Sequence, residues 1–111
     1  MVLIGGDKMK VDLNNLYLAK LVMLEGYNEN HTKIYTTGVR NIVVYRSVFG
    51  NFYDLSTFKK YKLDLHADPY NDRIGKLFID ADCLTPLSSV LSFDEDKISR
   101  TKVLQKVKSI I

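Results

Sequence analysis

One cysteine, Cys83, stands in 111 residues, so no intramolecular disulfide can form. Small secreted domains commonly depend on disulfides, and their lack points to a reducing compartment. Histidine is almost as scarce, with His31 and His66 the only two. One thiol and two imidazoles do not supply the ligands of a structural zinc site. No stretch approaches the roughly 18 to 20 apolar residues that span a bilayer. Residues 1–8 carry neither a basic start nor the roughly 7 to 15 apolar residues of a signal peptide. The expectation is a soluble cytoplasmic protein with no membrane association. Motifs are absent too. Gly5-Gly6-Asp7-Lys8 lacks the spacing and hydroxyl of a phosphate loop, and no Gly-x-Gly-x-x-Gly, His-Glu-x-x-His or Gly-x-Ser-x-Gly occurs. Nothing implies a cofactor.

What is present has the balance of an ordinary globular chain, 46% hydrophobic and 26% charged, which is too apolar for disorder. The length fits one domain over residues 1–111. The net charge of +3 is small, but the charges are sorted along the chain. Residues 1–30 are net −1, 31–62 net +5, 63–96 net −6, and 97–111 net +5. Such blocks either form an interaction surface or neutralise one another within the fold.

The hydrophobic pattern is mainly that of strands. Over 13–24, Leu16, Leu18 and Lys20 share one strand parity, and Tyr17, Ala19, Leu21 and Met23 share the other. Both faces are mostly apolar, as in a strand of a closed or covered sheet; a helix of period near 3.6 is the competing reading. Residues 34–37 and 41–49 read as strand, with Gly38 at a bend or bulge and a turn at Gly50-Asn51. Phe49 and Phe52 are expected in the core. Residues 61–67 alternate, placing Lys62, Asp64 and His66 on one wet face. Thr85-Pro86 has the form of a helix start, with Thr85 as cap and one or two turns covering 87–91. Ser92-Phe93-Asp94-Glu95 matches a capping box for an amphipathic helix over 92–111, with acids in its first turn and Lys106 and Lys108 near its end. The fold expected is α+β and mainly β: a strongly bent antiparallel sheet or partial barrel over 11–80, with that C-terminal helix packed on it. In spacing alone, 11–80 resembles SH3-like and OB-like barrels.

Few residues suggest chemistry. Asp64, His66 and Asp68 alternate along a strand and would line one face, a weak candidate for a divalent cation or a poised imidazole. A plain solvated face has the same pattern, and Lys62 extends that row with a charge a cation would not want. Asp80 and Asp82 would join Asp64 and Asp68 in a carboxylate cluster only if their strands are neighbours. Cys83 has acidic neighbours, which disfavour the thiolate, and reads as a small hydrophobe. No catalytic residue is assigned, and a non-enzymatic protein is expected.

Two binding surfaces compete. One sets the helical cations Arg100, Lys102, Lys106 and Lys108 against the acids Asp80 and Asp82, for an unidentified protein partner or a second copy. The other interleaves Arg40, Arg46, Lys59, Lys60 and Lys62 with Tyr53 and Tyr61, a basic-aromatic pattern suited to nucleic acid. The acidic block would repel a polyanion wherever it is exposed. The preferred reading is therefore a protein-interaction or regulatory accessory module, with a small nucleic-acid-binding domain as the alternative.

Overall fold

The computed structural model describes residues 9–27, 34–64 and 75–111. Strand β1 (Lys10–Asp12) leads through a 3-10 turn at Leu13–Asn15 into β2 (Leu16–Tyr27), so the strand reading of 13–24 holds. The two apolar parities of β2 serve two cores. Tyr17, Ala19 and Leu21 pack with Ile42, Val44, Phe52, Tyr61 and Ile79 inside the sheet's curve. Leu16 and Leu18 face a second core containing Val43, Leu55, Leu87, Ile98, Val103 and Val107. Both faces are apolar because both are covered.

β3 (Ile34–Arg46) pairs antiparallel with β2 from Leu16↔Tyr45 to Tyr27↔Ile34. The register shifts where Arg40 and Thr37 become successive partners, a bulge at Gly38-Val39. Next come β4 (Phe52–Asp54), β5 (Lys60–Tyr61), β6 (Leu63–Asp64) and β7 (Leu77–Asp80). The sheet order is β5-β4-β3-β2-β7-β6. Its ends meet through one stretch of chain. Residues 60–61 pair with β4, Lys62 accepts a backbone hydrogen bond from Ile79 at 2.8 Å, and 63–64 run parallel to β7. The result is a nearly closed barrel, mixed in sense because its closing pair is parallel.

This change of partner corrects the wet-face reading of 61–67. Lys62 is exposed, but Asp64 is fully buried. The alternation fails because the chain leaves one neighbouring strand and joins another at Lys62. His66 and Asp68 lie outside the described residues.

A helical turn does follow Thr85-Pro86, but Thr85 does not cap it. The pair forms β8 against Leu18 and Tyr17 of β2, an edge pairing that tolerates the missing proline amide. The turn that follows, Leu87–Ser89, is a single 3-10 turn without a side-chain cap.

The C-terminal helix is present but short, and its boundary is corrected. Residues 97–99 form β9, which pairs with β1 as Lys10↔Ser99, Val11↔Ile98 and Asp12↔Lys97. Helix α1 then spans Arg100–Val107, capped by Ser99, whose hydroxyl accepts from the Lys102 amide at 3.3 Å. Ser92 and Glu95 therefore form no capping box, and 94–96 are bends outside the helix. Pairing with β1, far away in sequence, takes the backbone groups of 97–99 that helix growth would have used. Eight residues make a marginal helix in isolation. Val103 and Val107, both buried in the second core, supply about 1.5–3 kcal/mol each.

Candidate functional site

The Asn41–Phe49 strand ends early, at Arg46. Ser47 donates its amide to the Asn51 carbonyl at 2.8 Å, and the Gly50 amide donates to the Ser47 carbonyl at 2.9 Å. The Ser47 hydroxyl accepts from the Asn51 amide at 3.2 Å. Gly50 sits at φ +82°, the left-handed position that closes a three-residue hairpin loop through a bulge. Val48 and Phe49 are thereby turned out of the strand, 94% and 89% exposed. Phe52 is buried as expected; Phe49 is not, and its expected place in the core is corrected. Strand parity does not carry through a turn.

One basic side chain stands at this tip. The Arg46 guanidinium lies beside Gly50, its nearest nitrogen 3.7 Å from where a Cβ would stand. The rows Arg46↔Phe52↔Tyr61 and Tyr45↔Tyr53↔Lys60 cross the sheet just behind the loop. Lys60, on β5, is one strand spacing, about 5 Å, from β4. Lys60 and Lys62 are exposed and flank buried Tyr61, which shares its row with Arg46.

The rest of the basic-aromatic set is dispersed. Arg40 is exposed but six residues back along β3, about 20 Å from Arg46. It lines a separate cleft of about 150 Å³ with Asp54, Leu104 and Val107. Tyr61 is buried, with Lys59 Nζ 5.4 Å from its ring centroid. Tyr53 stacks on Tyr45 with centroids 5.2 Å apart and planes at 19°. Burial, and then the neighbouring Tyr53, push the Tyr45 hydroxyl pKa upward.

The helical cations also divide. Arg100 Nε donates to the Leu55 carbonyl and a terminal nitrogen to the Ser56 carbonyl, each at 2.7 Å, with the guanidinium 4.6 Å from the Phe58 ring centre. Lys106 donates to the Ser92 carbonyl and lies over the Phe93 ring at 4.5 Å. Arg100 is half-buried, while Lys106 is exposed, as are Lys102 and Lys108. The exposed acids Asp94 and Glu95, with Phe93, Ile98, Lys102 and Lys106, line a cleft of about 160 Å³.

Asp64 and Asp80 are register partners on parallel β6 and β7, so the two strands are neighbours and this carboxylate pair shares a sheet face. Asp80 accepts from the Asp82 amide at 3.0 Å and the Cys83 thiol at 3.3 Å. The hydrogen bond to Asp80 first, and then burial, raise the thiol pKa. Among the described residues, no group of three or more His, Cys, Asp or Glu side chains is arranged to hold a metal ion. No helix among them is long and apolar enough to cross a membrane.

The sequence pattern places the turn at Gly50-Asn51 but leaves Val48 and Phe49 in the strand before it. The signal for the tip was Ser47 at the first and Gly50 at the fourth position of a β-turn, both favoured there. No family model, curated protein or solved structure matches the chain.

Proposed function

We propose that this chain is a non-enzymatic protein-interaction module whose anchor is the β3–β4 hairpin tip. The observation that carries the reading is the exposure of two adjacent large apolar side chains, Val48 and Phe49, on a hydrogen-bonded turn. Isolated exposed apolar residues are common. A Val-Phe pair held on a closed loop is a preorganised anchor of the kind that fills a partner's pocket, with few rotamers left to freeze. Arg46, Lys60 and Lys62 would then steer the approach of an acidic rim.

The same features weigh against single-stranded nucleic acid, which needs open aromatic faces for stacking. Tyr61 is buried, one face of Tyr53 is covered by Tyr45, and Phe58 meets both Tyr45 and Arg100. Among the described residues the Phe49 ring makes no such contact, and its neighbour Val48 has no face to stack.

The test is site-specific photo-crosslinking in cells, with a benzophenone amino acid at position 49 and, as control, at exposed Gln105. A discrete protein adduct from 49 and none from 105 is expected. Nucleic-acid adducts from 49, or equal labelling at both positions, would sink the reading.

A further inference from the structure

We infer that the open edge of β3, where it borders α1, is a docking site for an extended peptide segment of another protein, which joins the sheet as an added strand. β3 pairs with β2 from Ile34 to Tyr45, but with β4 only over 44–46. One bond further on, the Leu55 amide donates to the Val43 carbonyl at 2.8 Å, and the chain then leaves the sheet. Two features turn it away. Asp54 Oδ1 accepts from the Ser56 and Thr57 amides at 2.8 and 3.4 Å, and the Leu55 carbonyl accepts from Arg100 Nε at 2.7 Å. The β4 side of residues 34–42 therefore carries no strand among the described residues.

The alternation of an antiparallel ladder says which backbone groups stand open. Val43 turns its carbonyl toward β4, so Asn41, two residues back, turns its N–H and C=O the same way, past the end of β4. Val39, Arg40 and Asn41 are exposed in succession, so the edge is uncovered here on both faces. A donor and an acceptor set side by side on a strand edge are complementary to another extended backbone. Beside them lies a cleft of about 150 Å³, between residues 41–43 of β3 and Leu104, Val107 and Ile111. Pockets for small molecules start near 300 Å³, so this one takes a single side chain rather than a cofactor. Its apolar wall selects an aliphatic one, presented by every second residue of the added strand. The bulge at Gly38-Val39 and the exposed Arg40 guard the edge against pairing with its own copy, so the occupant is foreign. Asn41 lies about 20 Å along β3 from Ser47, and the site does not depend on the role of the hairpin tip.

The probe is a random peptide library displayed on phage, each member about eight residues long, the span of a strand. It is panned against the full chain, and the enriched peptide is synthesised for NMR titration. Enriched peptides are expected to carry Val, Ile or Leu at alternate positions. Binding should slow hydrogen exchange of the Asn41 amide about tenfold or more. Methylating the peptide amides that face β3 should abolish binding, and methylating the intervening ones should leave it intact. Ile111→Asp, at an exposed position on the cleft wall, should weaken binding about fivefold through lost apolar contact. Phe49→Ser should leave it unchanged. The inference is overturned if no peptide is enriched, if binding leaves Asn41 exchange unaltered, or if methylation at either set of amides has the same effect. Protection of Asn41 that rises with protein concentration alone also overturns it, since the occupant is then a second copy. Binding lost with Phe49→Ser would put the peptide at the hairpin tip instead, sinking the edge site and leaving the interaction module standing.

Discussion

Removing the Arg100 side chain should loosen the attachment of α1 to the barrel. Its guanidinium makes two 2.7 Å hydrogen bonds, to the carbonyls of Leu55 and Ser56, and lies 4.6 Å from the Phe58 ring centre. A hydrogen bond to a charged group contributes about 1.5–3 kcal/mol. Both bonds are partly open to water, which places each at the lower end or below it. The cation–π contact adds about 0.5–1 kcal/mol. Arg100→Ala should therefore cost about 2–3 kcal/mol. At an m-value of about 1.5 kcal/mol/M in urea, the unfolding midpoint falls by roughly 1.3–2 M. Arg100→Lys keeps the charge but cannot fork to two carbonyls, and should lose about 1–2 kcal/mol. The backbone bond from the Arg100 amide to the Met9 carbonyl is untouched by either change. If Arg100→Ala unfolds within about 0.5 kcal/mol of wild type at unchanged m, the latch is no latch, and Arg100 returns to the set of cations available to a partner.

Two further predictions concern local chemistry. Phe58 is a bulky residue at φ +62°, a conformation that costs an L side chain about 1–2 kcal/mol. Phe58→Gly should therefore be more stable than Phe58→Ala by about 1 kcal/mol in urea unfolding, reversing the usual order. Asp80 accepts the Cys83 thiol hydrogen and favours the protonated form, so the folded-state thiol pKa lies above its ordinary value. Asp80→Asn should move the pH midpoint of Cys83 alkylation downward; an unchanged midpoint would mean that the hydrogen bond does not form in solution.

How much of this was legible in sequence depends on whether local pattern or distant pairing decides each element. The double apolar parity of 16–23 was legible because a strand between two cores must be apolar on both faces. Gly38 marked its bulge for a similarly local reason. The helix start was not legible. Ser92-x-x-Glu95 and Ser99-x-x-Lys102 both offer a capping serine, and β1 decides between them by pairing with 97–99 from the other end of the chain. Asp64 was misread for the same kind of reason, since its burial follows from the switch of the 60–64 stretch from β4 to β7. Of the candidate site, the basic residues were legible as a block, but their dispersal was not. Arg100 and Lys106 look like any surface cations until the carbonyls of Leu55, Ser56 and Ser92 arrive beside them.

Phe49 stands outside the core, 89% exposed. Phe52, three residues along the same hairpin, is its internal control. Urea unfolding of Phe49→Ser and Phe52→Ser, measured side by side, tests that placement most directly. A change within about 0.5 kcal/mol is expected for Phe49→Ser and a loss of about 3–5 kcal/mol for Phe52→Ser. A loss above about 2 kcal/mol at Phe49 would place its ring in the core and remove the anchor on which the interaction module rests.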